Sequence, residues 1–382
     1  MSQPKLFESL ALGEVTLRNR VVISPMCQYA AVDGVAQDWH LVHLGRFALG
    51  GAGAVFVEAT GVTPEGRITH GDMGLWNDEQ ARALARIADF LKAHGAAAGI
   101  QLAHAGRKAS TQRPWEGGGP IGAEDERARG EGPWTPVAPS ATAFRDDWIV
   151  PAALSTADLG ALLIAWREAA QRALDAGFDV VEVHAAHGYL LHEFLSPLSN
   201  FRDDAYGGDL AGRMRFPLEV VETVRAVWPT SKPLFVRISA VDGVEGGWSL
   251  DESVAFAREL KARGVDVVDC SSGGNTPTPP PMTGPGYQVP YAARVRKDAE
   301  IRTMAVGAIF DPRQAEAILQ EGQADLVAFA REALADPSWP VRAEHVLRGE
   351  GADYASWGGQ TAFWLNIREK GMQRMGVHDR DR

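Results

Sequence analysis

The chain has 382 residues, 45% of them hydrophobic, which is enough for a large core in one α/β barrel or in two smaller domains. A net charge of −11 without a basic stripe argues against a nucleic-acid partner. Two cysteines, Cys27 and Cys270, cannot form a disulfide framework or a zinc or iron–sulfur cluster, and the lack of a long apolar segment argues against secretion or a membrane span, so we expect a cytoplasmic protein.

The regular part of the chain follows a short hairpin, predicted over residues 5–19 with its turn at Gly13 and Glu14. Eight short runs rich in Val, Ile and Ala then alternate with amphipathic segments. Continuous apolar runs are typical of parallel strands that are covered on both faces. The predicted strands are Val21–Ser24, Ala54–Glu58, Ala97–Leu102, Val180–His184, Leu234–Ile238, Val265–Cys270, Arg302–Val306 and Asp325–Phe329.

The segments between these strands are predicted to be helices. Ser249 and Glu252 form a capping box ahead of one of them, and Asp311 with Pro312 starts another. Eight strand–helix units predict a single (β/α)8 TIM barrel of α/β class, one domain over residues 1–382. A doubly wound sheet is the alternative.

Two long irregular segments leave from carboxyl ends of predicted strands. Residues 105–150 follow the third strand, are rich in Gly and Pro, and are predicted to form a lid. Residues 273–290 follow the sixth strand and contain too many prolines for regular structure. Because a barrel keeps its active site at this end of its strands, both segments are expected to border the site. The C-terminal tail is placed at residues 340–382.

The most informative stretch is residues 180–197, a buried strand followed by a loop with two imidazoles and a phenol, His184, His187 and Tyr189. Three proton-active side chains just past the carboxyl end of a strand predict a catalytic group. The alternative is a polar loop that contains one structural histidine. A metal site is a further use of the histidines, but the first strand offers no histidine to complete it.

Other strand ends add polar groups to the same pocket. Cys27 and Tyr29 follow the first strand, and in an extended chain they would point the same way; a turn with a buried thiol is the alternative. Arg237 inside an apolar strand needs an anion or a salt bridge within the barrel. Gly307 after the seventh strand and Arg331 after the eighth suit a phosphate site.

These groups favour a planar, phosphorylated, redox-active ring, and flavin mononucleotide (FMN) fits. Ser24 and Gln101 would supply hydrogen bonds. Arg237 would stabilise the negative charge that the reduced ring carries.

Several motifs together resemble a known family. They are SPMCQY at residues 24–29, EAT at 58–60, QLAHAGRKAS at 101–110, HAAHGYLLHEFLSPLSNFRDDAYGG at 184–208, VRIS at 236–239 and AREALADP at 330–337. They resemble the Old Yellow Enzyme family of FMN-dependent ene-reductases over about residues 5–340. The cysteine of SPMCQY is similar to that of the bacterial branch called thermophilic-like.

The resemblance implies a reaction. NADPH or NADH would reduce a non-covalently bound FMN and leave, and an α,β-unsaturated carbonyl compound would then enter the same site; nitro compounds or quinones are the alternative substrates. His184 and His187 would bind the substrate oxygen, flavin N5 would deliver hydride to Cβ, and Tyr189 would protonate Cα. Cys27 would tune the flavin.

The resemblance also implies the binding residues. Those expected to hold FMN are Ser24, Pro25, Met26, Cys27, Ala59, Gln101, Arg237, Gly307, Ala330 and Arg331. Those expected to line the substrate pocket are Tyr29, Lys108, His184, His187 and Trp364.

The chain departs from the family pattern at two places. Ala330 stands where glycine is common, which keeps the backbone N–H but leaves less room. The tail matches weakly, and Trp364 or Arg368 is a candidate to enter a neighbouring subunit's pocket in a homodimer or homotetramer; an aromatic side chain packed at a dimer interface is the alternative. A flavin-binding barrel used for sensing or storage remains the competing function.

Overall fold

Eight parallel strands close into a cylinder in the part of the chain that the structure, a computed structural model, describes: residues 3–349 and 353–376. Each strand pairs with the next, and the eighth pairs with the first, so the predicted barrel is confirmed and the doubly wound alternative is wrong. The barrel strands are β1 (Val21–Ile23), β2 (Ala54–Gly61), β3 (Ala97–Ala103), β4 (Val180–Ala185), β5 (Leu234–Ser239), β6 (Val267–Ser271), β7 (Arg302–Ala305) and β8 (Leu326–Phe329).

All eight predicted strands are present. The largest difference in their bounds is at β2, which continues from Glu58 to Gly61 across a break in register between Val57 and Thr60. The two-residue strand Met73–Gly74 pairs with this extension. Polar residues at the end of β2 therefore belong to the strand, although the sequence reads there as the start of a loop.

A helix follows each strand and covers the outside of the barrel. The barrel helices are α1 (Asp38–Leu49), α2 (Asp78–Ala93), α3 (Thr156–Asp175), α4 (Leu210–Val227), α5 (Leu250–Ala262), α6 (Val289–Ala299), α7 (Pro312–Gln320) and α8 (Trp339–Arg348). The predicted caps are confirmed, because Ser249 accepts a hydrogen bond from the N–H of Glu252 and Asp311 accepts one from Arg313. Four further helices are Ala123–Arg129, Leu190–Leu195, Arg331–Ala335 and Gly359–Arg374.

The hairpin closes the amino-terminal end of the barrel. Its antiparallel strands are Leu10–Leu12 and Val15–Leu17, and residues 5–7 of the predicted hairpin form a turn of 3-10 helix instead. Leu12 and Leu17 are buried in the same apolar cluster as the lowest inward-facing side chains of the strands. The hairpin therefore plugs the barrel and leaves only the carboxyl-terminal end open for a site.

Inward and outward side chains alternate along each strand. On β4, Val181 and Val183 pack outward into the large cluster that includes Trp166 of α3. Val180 instead joins the inner cluster, with Phe235 of β5. Alternation then directs the residues two and four positions after Val180 into the barrel, towards its open end.

The segment predicted as a lid, residues 105–150, is partly regular. It contains the helix Ala123–Arg129 and a short strand, Val137–Ala138, that pairs with Ala152–Ala153. Its Trp115 packs edge-on against Tyr29 with ring centroids 5.7 Å apart, so the segment borders the barrel mouth as expected. The proline-rich segment after β6 is irregular up to Gln288, and α6 begins at the next residue, Val289.

Candidate active site at the barrel mouth

The two imidazoles and the phenol meet at the end of β4. His187 Nδ1 lies 3.4 Å from His184 Nε2, and its Nε2 lies 2.7 Å from the hydroxyl of Ser271 at the end of β6. The ring of Tyr189 packs edge-on against His184, with centroids 5.1 Å apart. The structure thus brings together the three residues that the sequence singled out, and it adds Ser271.

A backbone hydrogen bond fixes the tautomer of His184. The backbone N–H of Ala186 donates to Nδ1 of His184 at 3.2 Å, so a neutral His184 carries its proton on Nε2. Burial, and then the charge of Arg237, lowers the pKa of both His184 and His187 well below the usual histidine value. Both rings are therefore neutral near pH 7 and present N–H donors rather than charges.

The pKa of Tyr189 is shifted in the opposite direction. Burial, followed by the negative charges that Cys27 and Asp72 can carry, raises it above the ordinary phenol value. The phenol consequently keeps its proton across the physiological range. Tyr189 also lines a narrow cavity of about 10 Å³ together with Ala59, the predicted cofactor residue on β2.

The backbone of this loop is held in an unusual conformation. His187 has a φ of 59°, which costs a non-glycine residue about 1–3 kcal/mol. Its N–H donates to the hydroxyl of Ser239 at 2.8 Å, and its carbonyl accepts from Nζ of Lys108 at 2.9 Å. Gly188 follows with a φ of 72°, and a Cβ there would lie 2.2 Å from the carbonyl oxygen of Gly274. These contacts fix the position of His187 and restrain the loop.

A second buried pair supports the same loop from below. The N–H of Gly188 donates to Nδ1 of His192 at 2.9 Å, and Nε2 of His192 lies 3.0 Å from Asp242. Asp242 also accepts from the hydroxyl of Ser196 at 2.6 Å and from the N–H of Trp248 at 2.8 Å. His192 and Asp242 were not predicted. They are 50 positions apart, and only the fold brings them together.

Lys108, predicted to line the substrate pocket, lies at the rim. Its Nζ is 5.0 Å from the centre of the Tyr189 ring and donates to the carbonyl oxygens of His187 and Gly274. Burial lowers the pKa of Lys108 to about 8. Its ammonium group therefore binds the backbone of the loop and also lies beside the predicted substrate pocket.

The segment after β1 is not fully extended, because Tyr29 has a φ of 52°. The geometry assumed for Cys27 and Tyr29 is therefore wrong at Tyr29. The two side chains are nevertheless neighbours, since burial and then the charge of Cys27 raise the pKa of Tyr29. Burial, followed by the carboxylates of Asp72 and Glu58, raises the pKa of the Cys27 thiol, which disfavours a nucleophilic thiolate.

The other predicted cofactor residues lie around the same mouth. Ser24 is buried, and its hydroxyl has no hydrogen-bond partner within residues 3–349 and 353–376. Pro25 and Met26 follow it and are half-buried. Gly307 has a φ of 114° after β7, where a Cβ would come within 2.6 Å of the side chain of Gln288.

Beyond β8, Ala330 is half-buried and Arg331 is the exposed first residue of the helix Arg331–Ala335. Trp364 lies elsewhere, on the helix Gly359–Arg374, where it is 68% exposed and packs against Phe363. It does not line a buried pocket of its own chain. Its place in a neighbouring subunit, like that of Arg368, stays a prediction.

The structure also shows a polar layer that joins two predicted residues, Gln101 and Arg237, to two that were not predicted, Glu182 and Asp269. Gln101, Glu182, Arg237 and Asp269 are buried on four successive strands, β3 to β6. Arg237 was noticed, and the salt bridge offered as its alternative role is present, with Nε 3.0 Å from Asp269. The same signal, a charged residue between valines, could have identified Glu182.

Within residues 3–349 and 353–376, no group of three or more His, Cys, Asp or Glu side chains is placed to hold a metal ion. No helix in that part of the chain is long and apolar enough to cross a membrane.

A closed α/β barrel with imidazole, phenol and guanidinium groups at the carboxyl ends of its strands defines an enzyme that binds and reacts with a small molecule. Sequence comparison identifies its family: residues 5–350 match the NADH:flavin oxidoreductase / NADH oxidase family, and the chain belongs to it. It is therefore an oxidoreductase, and FMN and NAD(P)H are the cofactors that fit.

Relatives and solved structures agree. The chain is 45% identical over 341 residues to an NADPH dehydrogenase of Halalkalibacterium halodurans, covering 89% of this chain and 94% of that one. It is 44% identical over 344 residues to an NADPH dehydrogenase of Geobacillus thermodenitrificans, covering 90% and 94%. Morphinone reductase has a TM-score of 0.75 at 29% identity over 94% of each chain. An old yellow enzyme homologue of Zymomonas mobilis has 0.73 at 26%, covering 93% and 97%. The resemblance to Old Yellow Enzymes is confirmed.

The residues at the barrel mouth fit FMN. The unpaired hydroxyl of Ser24 is a buried group that lacks a partner without a ligand. Gly307 keeps the backbone open for close approach of a phosphate, with the exposed guanidinium of Arg331 beyond the next strand.

Proposed function

We propose that the protein is an NAD(P)H-dependent FMN ene-reductase that reduces the C=C bond of small α,β-unsaturated carbonyl compounds such as 2-cyclohexenone. One observation carries this proposal: two neutral imidazoles and a protonated phenol meet at the mouth of a barrel of this flavin family. Storing or sensing a flavin does not require such a group.

FMN would lie across the barrel mouth. When bound, it supplies the centre that accepts hydride from NAD(P)H and passes hydride to the substrate. The residues that would hold it are Ser24, Pro25, Met26, Cys27, Ala59, Gln101, Arg237, Gly307, Ala330 and Arg331.

His184 and His187 would bind the carbonyl oxygen of the substrate. Neutral imidazoles donate hydrogen bonds without adding positive charge beside Arg237, which already lowers their pKa. Donors aimed at an oxygen that gains negative charge stabilise that charge, and removing one such donor typically costs about 10²–10³-fold in rate. Lys108 and Ser239 bind the backbone of His187, and His192, held by Asp242, binds the N–H of Gly188. These contacts keep the two rings in place.

Tyr189 would donate its phenolic proton to Cα. Its raised pKa means that the proton is held until a basic carbon develops and is not lost to solvent at neutral pH. Tyr29, with Trp115 against its ring, and Lys108 would shape the substrate pocket. The poorly ionised Cys27 would adjust the flavin environment rather than attack the substrate.

We further propose a single-domain protein that forms a homodimer or homotetramer. The C-terminal helix Gly359–Arg374 supports this, because Phe363, Trp364 and Ile367 are exposed on it by 58%, 68% and 47%. Such a row of exposed apolar side chains is typical of an interface. In such an oligomer, Trp364 would enter the substrate pocket of the neighbouring subunit.

The test separates the two half-reactions in the variant Tyr189→Phe. Stopped-flow measurements should show flavin reduction by NADPH within about twofold of wild type, and reoxidation by 2-cyclohexenone slower by about 10²–10⁴-fold. Tyr291→Phe on helix α6 is the matched control and should leave both rates unchanged. Equal loss of both rates would remove Tyr189 from its role, and no turnover with any enone would favour sensing or storage.

A further inference from the structure

The polar layer directly below the histidines contains more acid than base. Glu182 on β4 accepts a hydrogen bond from Nε2 of Gln101 at 2.8 Å, and Asp269 on β6 lies 3.0 Å from Nε of Arg237 on β5. Glu182 and Asp269 are each 0% exposed. The centre of the barrel thus contains two carboxyl groups and one guanidinium, which contacts Asp269.

Among the described residues, the charges that act on Glu182 are those of Asp269 and Arg237, while the buried carboxyl group of Glu58 on β2 accepts a hydrogen bond from the N–H of Gln28. Above Glu182 on the same strand is His184, which is neutral because its pKa is lowered. The inward residues below the layer, and those on β7, β8 and β1, are apolar: Phe56, Val180, Phe235, Val267, Met304, Ala328 and Val22. With both carboxyl groups ionised, the layer would hold an unbalanced negative charge out of contact with water, which is costly.

The charge of Arg237 decides which carboxyl group carries the proton. Asp269 forms the salt bridge with Arg237, although neither of its oxygens has a hydrogen bond among the described residues, whereas Glu182 has no salt bridge there and a single hydrogen bond, from the amide of Gln101. A guanidinium in contact favours the ionised form of a carboxyl group, and a buried carboxyl group without such a partner favours its protonated form. The proton therefore resides on Glu182.

We propose that Glu182 is a neutral carboxylic acid in the resting enzyme, and that its ionisation at alkaline pH makes the flavin above it harder to reduce. This rests on the proposed function, in which Arg237 and Gln101 contact FMN. Neutral Glu182 leaves the pair of Arg237 and Asp269 balanced; ionised Glu182 adds one negative charge below a ring that gains negative charge on reduction.

The direction of the pKa shift agrees with this assignment. Burial, and then the charge of Asp269, raises the pKa of Glu182 to about 8, while Arg237 and Gln101 act against the shift. Burial also raises the pKa of Asp269, but its contact with Arg237 favours the ionised form there. Because the two groups are coupled, the proton belongs to the pair, and Glu182 is its main site.

The experiment measures the midpoint potential of bound FMN by anaerobic electrochemical titration of the holoenzyme from pH 6 to pH 10. In wild type, the plot of potential against pH should steepen near pH 8, where reduction begins to take up one extra proton. Glu182→Gln should have the wild-type potential at pH 7 and lack the steepening. If Glu182→Gln changed the midpoint potential at pH 7 as much as at pH 10, or if it retained the steepening near pH 8, the proposal would be overturned.

Glu193→Gln is the matched control. Glu193 is also a glutamate with 0% exposure whose pKa burial raises to about 8, but it lies on the helix Leu190–Leu195 outside the barrel interior, near Arg107. The same substitution there should retain the steepening. A bend lost equally in both variants would contradict a specific role of Glu182.

An infrared pH titration keeps the proposal testable if Glu182→Gln does not fold, and it requires no flavin. In Glu193→Gln, which removes the other carboxyl group whose pKa burial raises to about 8, a protonated carboxyl band should persist at pH 7 and disappear above about pH 8. Absence of that band at pH 7 would overturn the proposal. Failure to bind FMN with the band present would instead overturn the proposed function.

Discussion

The two halves of the barrel interior are built from the same strands but serve different ends. In the lower half, β4 and β5 point Val180 and Phe235 into an apolar core sealed by the hairpin. Two residues further along, the same strands present Glu182 and Arg237. The change occurs within one period of the strand, so one sheet provides both a packed base and a reactive mouth.

The upper half carries features that reduce stability. Ser24 and Glu182 each have a buried oxygen without a hydrogen-bond partner among the described residues, and His187 has a positive φ. A buried unsatisfied polar group costs about 1–3 kcal/mol. The lower half has no comparable charged residue within its apolar cluster. We therefore expect substitutions below the polar layer to affect folding, and substitutions above it to affect the reaction.

The largest expected effect is on folding, from Phe235→Ala in the lower half. Phe235 is 1% exposed and packs against Phe56, with ring centroids 5.7 Å apart. Its truncation should reduce the free energy of unfolding by about 3–5 kcal/mol, measured by urea denaturation. Phe201→Ala, at a side chain that is 61% exposed, is the control and should change it little. Equal losses would refute the division between the halves.

The next effect is on the reaction, from His184→Ala in the upper half. Loss of one N–H donor should reduce kcat/KM for 2-cyclohexenone by about 10²–10³-fold. His94→Ala at the exposed end of α2 is the matched control and should leave kcat/KM unchanged. If His184→Ala instead lowered the free energy of unfolding as much as Phe235→Ala and the folded protein kept its activity, His184 would have a structural role and not a catalytic one.

A smaller effect is expected beyond the carboxyl end of β5, from Asp242→Asn. The substitution weakens the contact with His192, which holds the N–H of Gly188. We expect a loss of about 1–3 kcal/mol in the free energy of unfolding, because a buried polar group loses a partner. The KM for the enone should rise more than kcat falls, since the loop positions the substrate-binding rings. Steady-state kinetics and thermal denaturation measure both effects, and unchanged kinetics would separate the pair from the site.

The smallest effect concerns the pH dependence of stability. Burial raises the pKa of Glu193 from 4.5 to about 8, so between these values the folded protein binds more protons than the unfolded chain. Its contribution to stability is fully present below about pH 4.5 and is lost as the pH rises through about 8. The free energy of unfolding, measured by urea denaturation at pH 5.5 and 8.5, should therefore differ less between the two pH values in Glu193→Gln than in wild type. A larger difference in the variant would contradict the direction of the pKa shift.

His184 and His187 act in the opposite direction. Their pKa values are lowered in the folded protein, so the unfolded chain binds more protons below about pH 6.5. Stability should fall with decreasing pH in that range, and replacing either ring by Asn should weaken the fall. Glu193 and the histidines can thus be distinguished by the direction of their pH dependence.

Much of the lower half could be predicted because its pattern is local. Continuous apolar runs indicated all eight strands, and Ser249 with Glu252 marked the start of a helix. The mouth could be predicted in part: His184, His187 and Tyr189 lie within six residues, so one strand end brings them together.

The remaining features of the mouth depend on which strands are neighbours and on backbone conformation. Asp269 meets Arg237 only because β5 pairs with β6 in a register that sets the two residues opposite each other. The positive φ values of Tyr29 and His187 are uncommon for residues other than glycine, and the residue type alone does not predict them. A single sequence contains no direct signal for either feature.

The most direct test of the account is the visible absorption spectrum of the purified protein, recorded before and after anaerobic addition of NADPH and then of 2-cyclohexenone. We expect a yellow protein whose flavin band is bleached by NADPH and restored by the enone. A colourless protein that does not take up added FMN, or a bleached band that no enone restores, would contradict it.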